Sequence, residues 1–326
     1  MSVAKASDTK LMILMPVYND WAALSLLLPI LERELKANEL RTTILLVDDG
    51  STMTFHGSLE QGVFQSIERI DVLSLRRNIG HQRAIAVGLS YIAANHPGNT
   101  VVVMDADGED NPKDVPRLVR ECVANEGKKI VFAARIRRSE GWTFTFFYHL
   151  YRLIHFLLTG VRVRVGNFSV IPPNILTRLV AVSELWNHYA AAAHKAKLPI
   201  TLVPTVRVER LDGTPSMDLV SLVVHGLSAM AVFGDRIGVR LLIVVSLGML
   251  FAVAALITVV IIRFITDLAI PGWATYVTGF LLLMLMQMLL VVLVFVFVIL
   301  AGRNAVNVIP TRDYLHIMGG IHRIHG

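Results

Sequence analysis

The residues that can do most chemistry stand in one short segment, "VVVMDADGEDNP" (Val101–Pro112), where an apolar run ends in Asp105, Asp107 and Glu109. Carboxylates this close repel, so the arrangement needs a compensating cation, a ligand or full solvation. A turn aided by Gly108 lets both Asp105 and Asp107 reach one hard cation. Carboxylates with few other protein ligands suit Mg²⁺ or Mn²⁺ shared with substrate phosphates. A bare D-x-D is more often a solvated loop; the buried strand before it and three companion clusters reverse that in favour of the cation. Those clusters are "PVYND", "VDDGST" and "RRNIGHQ", each at the end of an apolar run.

The elements that must position these clusters read as alternating strands and helices. Compact Val/Ile/Leu-rich runs predict strands over Leu11–Val17, Thr43–Val47, Asp71–Leu75, Thr100–Met104 and Lys129–Ala134, as for strands covered on both faces. Helical patterns lie between them at Trp21–Lys36, Gln82–Ala94 and Pro112–Ala124. The alternation predicts an α/β fold with a parallel sheet and right-handed crossovers, in which ligands bind beyond the carboxyl ends of the strands. Four polar clusters at four strand ends should therefore meet in one crevice. Asp48 and Asp49 there can cap a strand-to-helix turn or accept hydrogen bonds from a nucleobase or ribose. Tyr18 can stack on a base or serve the structure alone, and Arg76 and Arg77 read as surface charge. No G-x-G-x-x-G follows a strand and no G-x-x-x-x-G-K-[ST] occurs, which argues against a dinucleotide oxidoreductase and a P-loop NTPase.

The 326-residue chain is 54% hydrophobic, with a mean hydropathy of +0.58, and the apolarity is uneven. Up to about Glu209 it has the texture of a globular domain; from Val239 it is almost continuously apolar. Val239–Ile262 and Trp273–Leu300 are each long enough, at about 1.5 Å per residue, to span a ~30 Å hydrocarbon core. Arg236 and Arg240 precede the first span and Arg303 and Arg312 follow the second, against Arg263 alone in the link. The positive-inside rule then places the catalytic domain and both termini in the cytoplasm of an integral inner-membrane (plasma-membrane) protein. "MSVAKASDTK" lacks the apolar core of a signal peptide, and the single Cys122 excludes an internal disulfide. The net charge of +6 suits an anionic membrane or phosphorylated substrates, and no nucleic-acid motif accompanies it. Trp142–Thr159 and Met217–Phe233 read either as interfacial helices or as core helices. The expected organisation is a catalytic domain over 1–210 with a membrane-facing helix at 142–159, an interfacial region over 211–237, a transmembrane hairpin over 238–302 and a cytoplasmic tail over 303–326.

In this order and spacing, "PVYND", "VDDGST", "RNIGHQRAIAVGL" and "DADGEDNPKDVPRL" resemble the family 2 glycosyltransferases of GT-A fold, whose sheet is Rossmann-like and mostly parallel. More narrowly, the chain is similar to the polyprenyl-phosphate glycosyltransferases, the group containing dolichol-phosphate mannose synthase, and to its bacterial undecaprenyl-phosphate branch. The resemblance runs from Leu11 to the second span. Each motif alone is weak; the set is specific.

The resemblance implies that Pro16, Tyr18 and Asp20, with Asp48 and Asp49, hold the nucleoside of a UDP- or GDP-sugar. It implies that Asp105 and Asp107 hold Mg²⁺ or Mn²⁺ on the donor diphosphate. Arg135, in "FAAR", takes the place of the arginine for the lipid phosphate, with Arg152 a second candidate. Arg210, in "ERLDGTPSM", resembles the arginine of the family's "RxxGxSKM" segment, which closes over the diphosphate. The departures are specific. Asp20 replaces Glu, His81 stands where Lys is frequent, Glu109 where Gln is frequent, and Met53 where Asp is usual. Pro215 and Ser216 replace Ser-Lys, and Asn167, a further candidate for binding the lipid phosphate, replaces an Asp found in some relatives, which removes a general-base candidate there. The chemistry implied is metal-dependent transfer of one hexosyl-type sugar to polyprenyl phosphate, with inversion, for cell-envelope glycan synthesis. A phosphate acceptor is already anionic at neutral pH and needs no base. Transfer to another lipid or to a polysaccharide, a silent nucleotide-sugar-binding scaffold, and a homo-oligomeric state all stay open.

Overall fold

The computed structural model describes residues 10–53, 64–135, 153–161, 165–213, 219–266, 270, 272–304 and 308–326. The chain divides into two compact units: one built from the segments up to 141, 163–232 and 307–326, the other from 142–162 and 233–306.

The first unit is an eight-stranded sheet in the order β7-β5-β6-β4-β1-β2-β3-β8. Its strands are β1 (Leu11–Val17), β2 (Thr42–Asp48), β3 (Ile67–Leu75), β4 (Thr100–Val103), β5 (Ile130–Arg135), β6 (Val165–Ile171), β7 (Ile200–Thr205) and β8 (Met318–His325). The pairs β1–β2, β1–β4, β2–β3 and β5–β7 are parallel. β6 runs antiparallel to both β4 and β5, and β8 antiparallel to β3. The expected strands are all present; β6, β7 and β8 are additions, and they make the sheet mostly rather than wholly parallel. The stretch expected as a tail supplies β8. Its register is held in part by buried Asp71, which accepts from Arg69 Nε at 2.6 Å and faces Arg323 Nε of β8 at 3.8 Å.

β1 explains why its strand reads as an unbroken apolar run. Leu11, Ile13, Met15 and Val17 pack on one face against α1 (Trp21–Ala37), chiefly Leu24, Leu27, Leu28, Leu31 and Leu35. Met12 and Leu14 pack on the other face against α2 (His81–Asn95). Residues alternate sides along a strand, so a strand covered twice must be apolar at every position. α2 lies so close to the sheet that a Cβ on Gly88 would stand 2.4 Å from Leu14 Cδ1 and 2.8 Å from Val47 Cγ2. That close approach holds the first turn of α2 at the carboxyl ends of the strands. Further helices are α3 (Val115–Ala124), α4 (Pro173–Leu179), α5 (Tyr189–Lys195) and α6 (Leu219–Ala231).

In the second unit, α7 (Gly234–Ile265) and α8 (Trp273–Asn304) are apolar helices of 32 residues each, both long enough to cross a membrane. Gly238 meets Ile299 and Gly248 meets Met288, the absence of side chains allowing close packing. A helical stretch over 153–159 buries His155 and Thr159 while exposing Leu153, Ile154, Phe156 and Leu157. Its last carbonyls accept from Arg240 of α7, Leu157 O at 2.6 Å. Cationic groups satisfy the orphan carbonyls of a helix C-terminus. The rest of 142–159 lies outside the described residues.

Candidate active site

The four clusters do meet, and hydrogen bonds join each to the next. Asn19 of "PVYND" adopts a left-handed φ of 58°, a conformation asparagine tolerates better than most residues. Its Oδ1 accepts from the backbone amides of Thr52 at 3.0 Å and Met53 at 3.1 Å, and its own amide donates to Ser51 Oγ at 3.0 Å. The "VDDGST" loop is joined in turn to the third strand end. Asp49, 3% exposed, accepts from Ile79 N at 2.7 Å and Gly80 N at 2.9 Å, one amide on each carboxylate oxygen. Burial pushes its pKa above the usual range, against the two amides and His81, which favour the charged form. Asp48 accepts from Ser51 N at 2.9 Å.

The third cluster reaches the fourth through His81, whose Nε2 lies 3.2 Å from Asp105 Oδ1. The ring keeps 42% of its side-chain surface. Loss of water around it lowers its pKa, but the charge and hydrogen bond of Asp105, with Asp107 and Asp110, outweigh that and raise it overall. A second chain of hydrogen bonds comes from behind. Tyr189 N–H donates to Gln82 Oε1 at 2.8 Å, Gln82 Nε2 to Asn167 Oδ1 at 2.9 Å, and Asn167 Nδ2 lies 2.9 Å from His81 Nε2, to which it donates only when that nitrogen carries no proton and so does not donate to Asp105. The first donor is a backbone amide, so both side-chain amide orientations follow from it. Asn167 thus belongs to the network that positions His81.

A strap formed by residues 206–212 lies across the D-x-D turn. Val208 N donates to Glu109 O and Leu211 N to Asp107 O, both at 3.1 Å. Gly108 has φ +82°, and a Cβ there would stand 2.5 Å from Leu211 Cγ, so the turn requires glycine both for its conformation and for the strap above it. Arg210 bridges the carboxylates of Asp20 and Asp107, the latter at 3.4 Å, and anchors through Nε to Asp212 O at 2.7 Å. Arg207, not singled out from the sequence, pairs with Glu109. The signal was present in the R-x-x-R spacing of "RVER", which sends two guanidiniums to one acidic turn. Asp110 was missed as well; its Oδ2 accepts from Asp105 N at 3.0 Å.

The carboxylates are crowded and partly dry. Burial first, and then Asp105, raise the pKa of Asp107, with Arg210, Arg207 and His81 opposing. Burial likewise raises Asp20 against the pull of Arg210. Among the described residues no third His, Cys, Asp or Glu completes a metal cage with this pair. Two carboxylates, completed by water and phosphate oxygens, are a donor set that fits Mg²⁺ or Mn²⁺.

The other expected site residues fall in varied places. Tyr18 is 44% exposed beside this cluster, with its ring available for stacking. Pro16 is buried within β1, level with Val47 of β2, and so supports the loop rather than lining it. Arg135 closes β5 opposite Thr205, two residues before Arg207. Arg152 lies outside the described residues, as do Pro215 and Ser216.

A mostly parallel α/β sheet with a D-x-D turn at a strand end and basic groups above it is the architecture of a nucleotide-sugar-dependent transferase. The chain belongs to glycosyl transferase family 2, whose family model matches residues 12–186. It is 32% identical over 133 residues to the undecaprenyl-phosphate 4-deoxy-4-formamido-L-arabinose transferases of Serratia proteamaculans and Proteus mirabilis. The match covers 41% of this chain and 39% of each relative, so it spans about two fifths of their length. In fold it is similar to glucosyl-3-phosphoglycerate synthase from Mycobacterium tuberculosis, solved with Mn²⁺, UDP-glucose and phosphoglyceric acid. The TM-score is 0.51 at 18% identity, covering 73% of this chain and 84% of the other. Mannosyl-3-phosphoglycerate synthase from Rubrobacter xylanophilus gives 0.51 at 17% identity, over 70% and 74%. These likenesses confirm a GT-A sheet.

Proposed function

We propose that the chain transfers one sugar, with inversion, from a nucleotide-sugar donor to polyprenyl phosphate, undecaprenyl phosphate in particular, at the cytoplasmic face of the inner membrane. The observation that carries this reading is the strap that brings Arg207 to Glu109 and Arg210 to Asp107 on the D-x-D turn, in a family 2 chain that carries two long apolar helices. The named activity of the relatives supplies the acceptor class.

Asp105 and Asp107 hold the divalent cation, which when bound supplies positive charge to the leaving diphosphate. The chain's own residues do the rest. Tyr18, Asp20 and Asp48 receive the nucleoside on the loop that Asn19 and Asp49 hold in place. Arg210 turns from Asp20 and Asp107 to the diphosphate, where a planar fork of donors suits phosphate oxygens. Arg135 receives the lipid phosphate at the root of the strap and aims it at the anomeric carbon; Arg152 is the second candidate for that role. The attacking oxygen is already charged, so these residues act by positioning and electrostatic stabilisation.

Nucleotide release by the full chain in detergent tests this, across UDP- and GDP-sugars including a 4-deoxy-4-formamido-L-arabinose donor. Each donor is run with and without undecaprenyl phosphate and with Mg²⁺, Mn²⁺ or chelator. Release with one donor that needs both lipid and metal is expected. Donor binding without lipid-dependent release would overturn the acceptor and favour another lipid, a polysaccharide or a silent binding protein.

A further inference from the structure

The second span carries a polar group that the hairpin itself does not satisfy. Gln287 lies near the middle of α8, about 21 Å along the helix from Trp273 and about 24 Å from Arg303 at 1.5 Å per residue. Its side chain is exposed, and within the described chain its amide has no hydrogen-bond partner. The face of α8 turned to α7 is a different one, marked by Met288 against Gly248 and Ile299 against Gly238. At this depth hydrocarbon offers no donor or acceptor, so an amide left there is costly until another protein group meets it.

Gln287 also selects one stripe on the helix. Phe280, Leu283, Gln287, Leu290, Val294 and Phe297 follow alternating steps of three and four, the spacing of a left-handed coiled-coil seam, and all are exposed; Phe280 is 68% and Phe297 69% accessible. Every copy of the chain inserts with the same orientation, so two α8 helices meet in parallel and each seam residue faces its own counterpart. An amide carries one acceptor and two donor hydrogens and is complementary to itself. We propose that a second copy of this chain covers the stripe, in a parallel α8–α8 dimer with Gln287 hydrogen-bonded to the partner's Gln287 across the axis. A single polar residue at such a seam position sets register. The inference rests on α7 and α8 spanning the membrane, and not on the identity of donor or acceptor.

The test uses the full chain in membranes with single cysteines introduced by Leu283→Cys, Leu290→Cys, Leu282→Cys or Leu289→Cys, followed by a membrane-permeant oxidant. Native Cys122 is buried, with its thiol pushed up to about 11 by burial, and stays silent in controls. Disulfide-linked dimer is expected severalfold more at positions 283 and 290 than at 282 and 289. Adding Gln287→Leu should lower and level those yields, while Gln287→Asn preserves the pattern. Equal yields around the helix, or no effect of Gln287→Leu, would overturn the dimer. Alkaline carbonate extraction separates the other failure: release of the protein from membranes would overturn the spanning itself.

Discussion

The crevice at the strand ends and the apolar hairpin solve opposite problems. In the crevice, Asp20, Asp105, Asp107, Glu109 and Asp110 are brought together against their mutual repulsion, and His81, Arg207 and Arg210 are held over them. In the hairpin, the 32-residue helices are predominantly apolar, with their charged groups toward the ends and Gln287 near the middle of α8. A single atom out of position matters in the first, because charge–charge energies vary steeply with distance in a poorly hydrated site. The second tolerates apolar exchange, because burial in lipid follows area rather than geometry. Chemistry here depends on a structure held rigidly from behind, and attachment on composition alone.

The sharpest way to break that contrast is at the metal pair. Asp105→Ala and Asp107→Ala should each lower transfer by about 10³-fold or more, comparable to removing a principal electrostatic group, while the protein stays folded and in the membrane. Normal turnover in both would remove the cation from this site. Arg210→Gln should cost about 10²-fold in kcat. In the absence of donor it should also tighten Mn²⁺ binding severalfold by calorimetry, because Arg210 neutralises Asp107 in the resting strap. Unchanged Mn²⁺ affinity would mean that Arg210 does not compete with the cation. Arg135→Ala should raise the lipid-phosphate requirement roughly tenfold, the effect of losing one charge-assisted contact, with little change for the donor. Equal effects on both substrates would move Arg135 to the diphosphate.

Gly88→Ala should destabilise the catalytic unit by about 1–3 kcal/mol through overpacking against Leu14 and Val47, and lower kcat because α2 carries His81 and Gln82. An exposed α8 change such as Leu289→Val should do neither. The smallest expected effect is a pH dependence at Asp49. Its folded pKa is raised, so its contribution is fully present below the unfolded value near 3.8 and is lost as pH rises through the folded value. Thermal melts from pH 3 to 7 should show the wild type losing stability relative to Asp49→Asn as pH increases. The reverse slope would mean that the amides of Ile79 and Gly80 outweigh burial.

Much of this was legible in the chain. β1, α1 and α2 announced themselves because both faces of β1 are covered and α1 repeats Leu at helical spacing, patterns that local periodicity records. The D-x-D turn was legible because Asp105 follows a strand with nothing else to end it. β6 and β8 were not, because their identity lies in pairing: β6 inserts antiparallel between β4 and β5, and the exposed, histidine-rich β8 becomes a strand only because β3 offers an open edge. Pro16 read as a ligand contact and is a buried strand residue, since a motif does not state which way a residue points. Arg207, Gln82 and Tyr189 were missed for the same reason, their roles arising across separations of 98, 85 and 107 residues.

By itself, then, the sequence determined the class of fold, the acidic turn and the two apolar helices, because each is written in periodicity, composition or contiguous spacing, and its ordered motifs carried the resemblance to the family. Only the tertiary structure decided that Asp49 serves a loop, that Asn167 faces His81 and that Arg210 rests on Asp20 and Asp107. Those are choices among several partners within reach, and distance and desolvation make them only once the strands have brought the partners together.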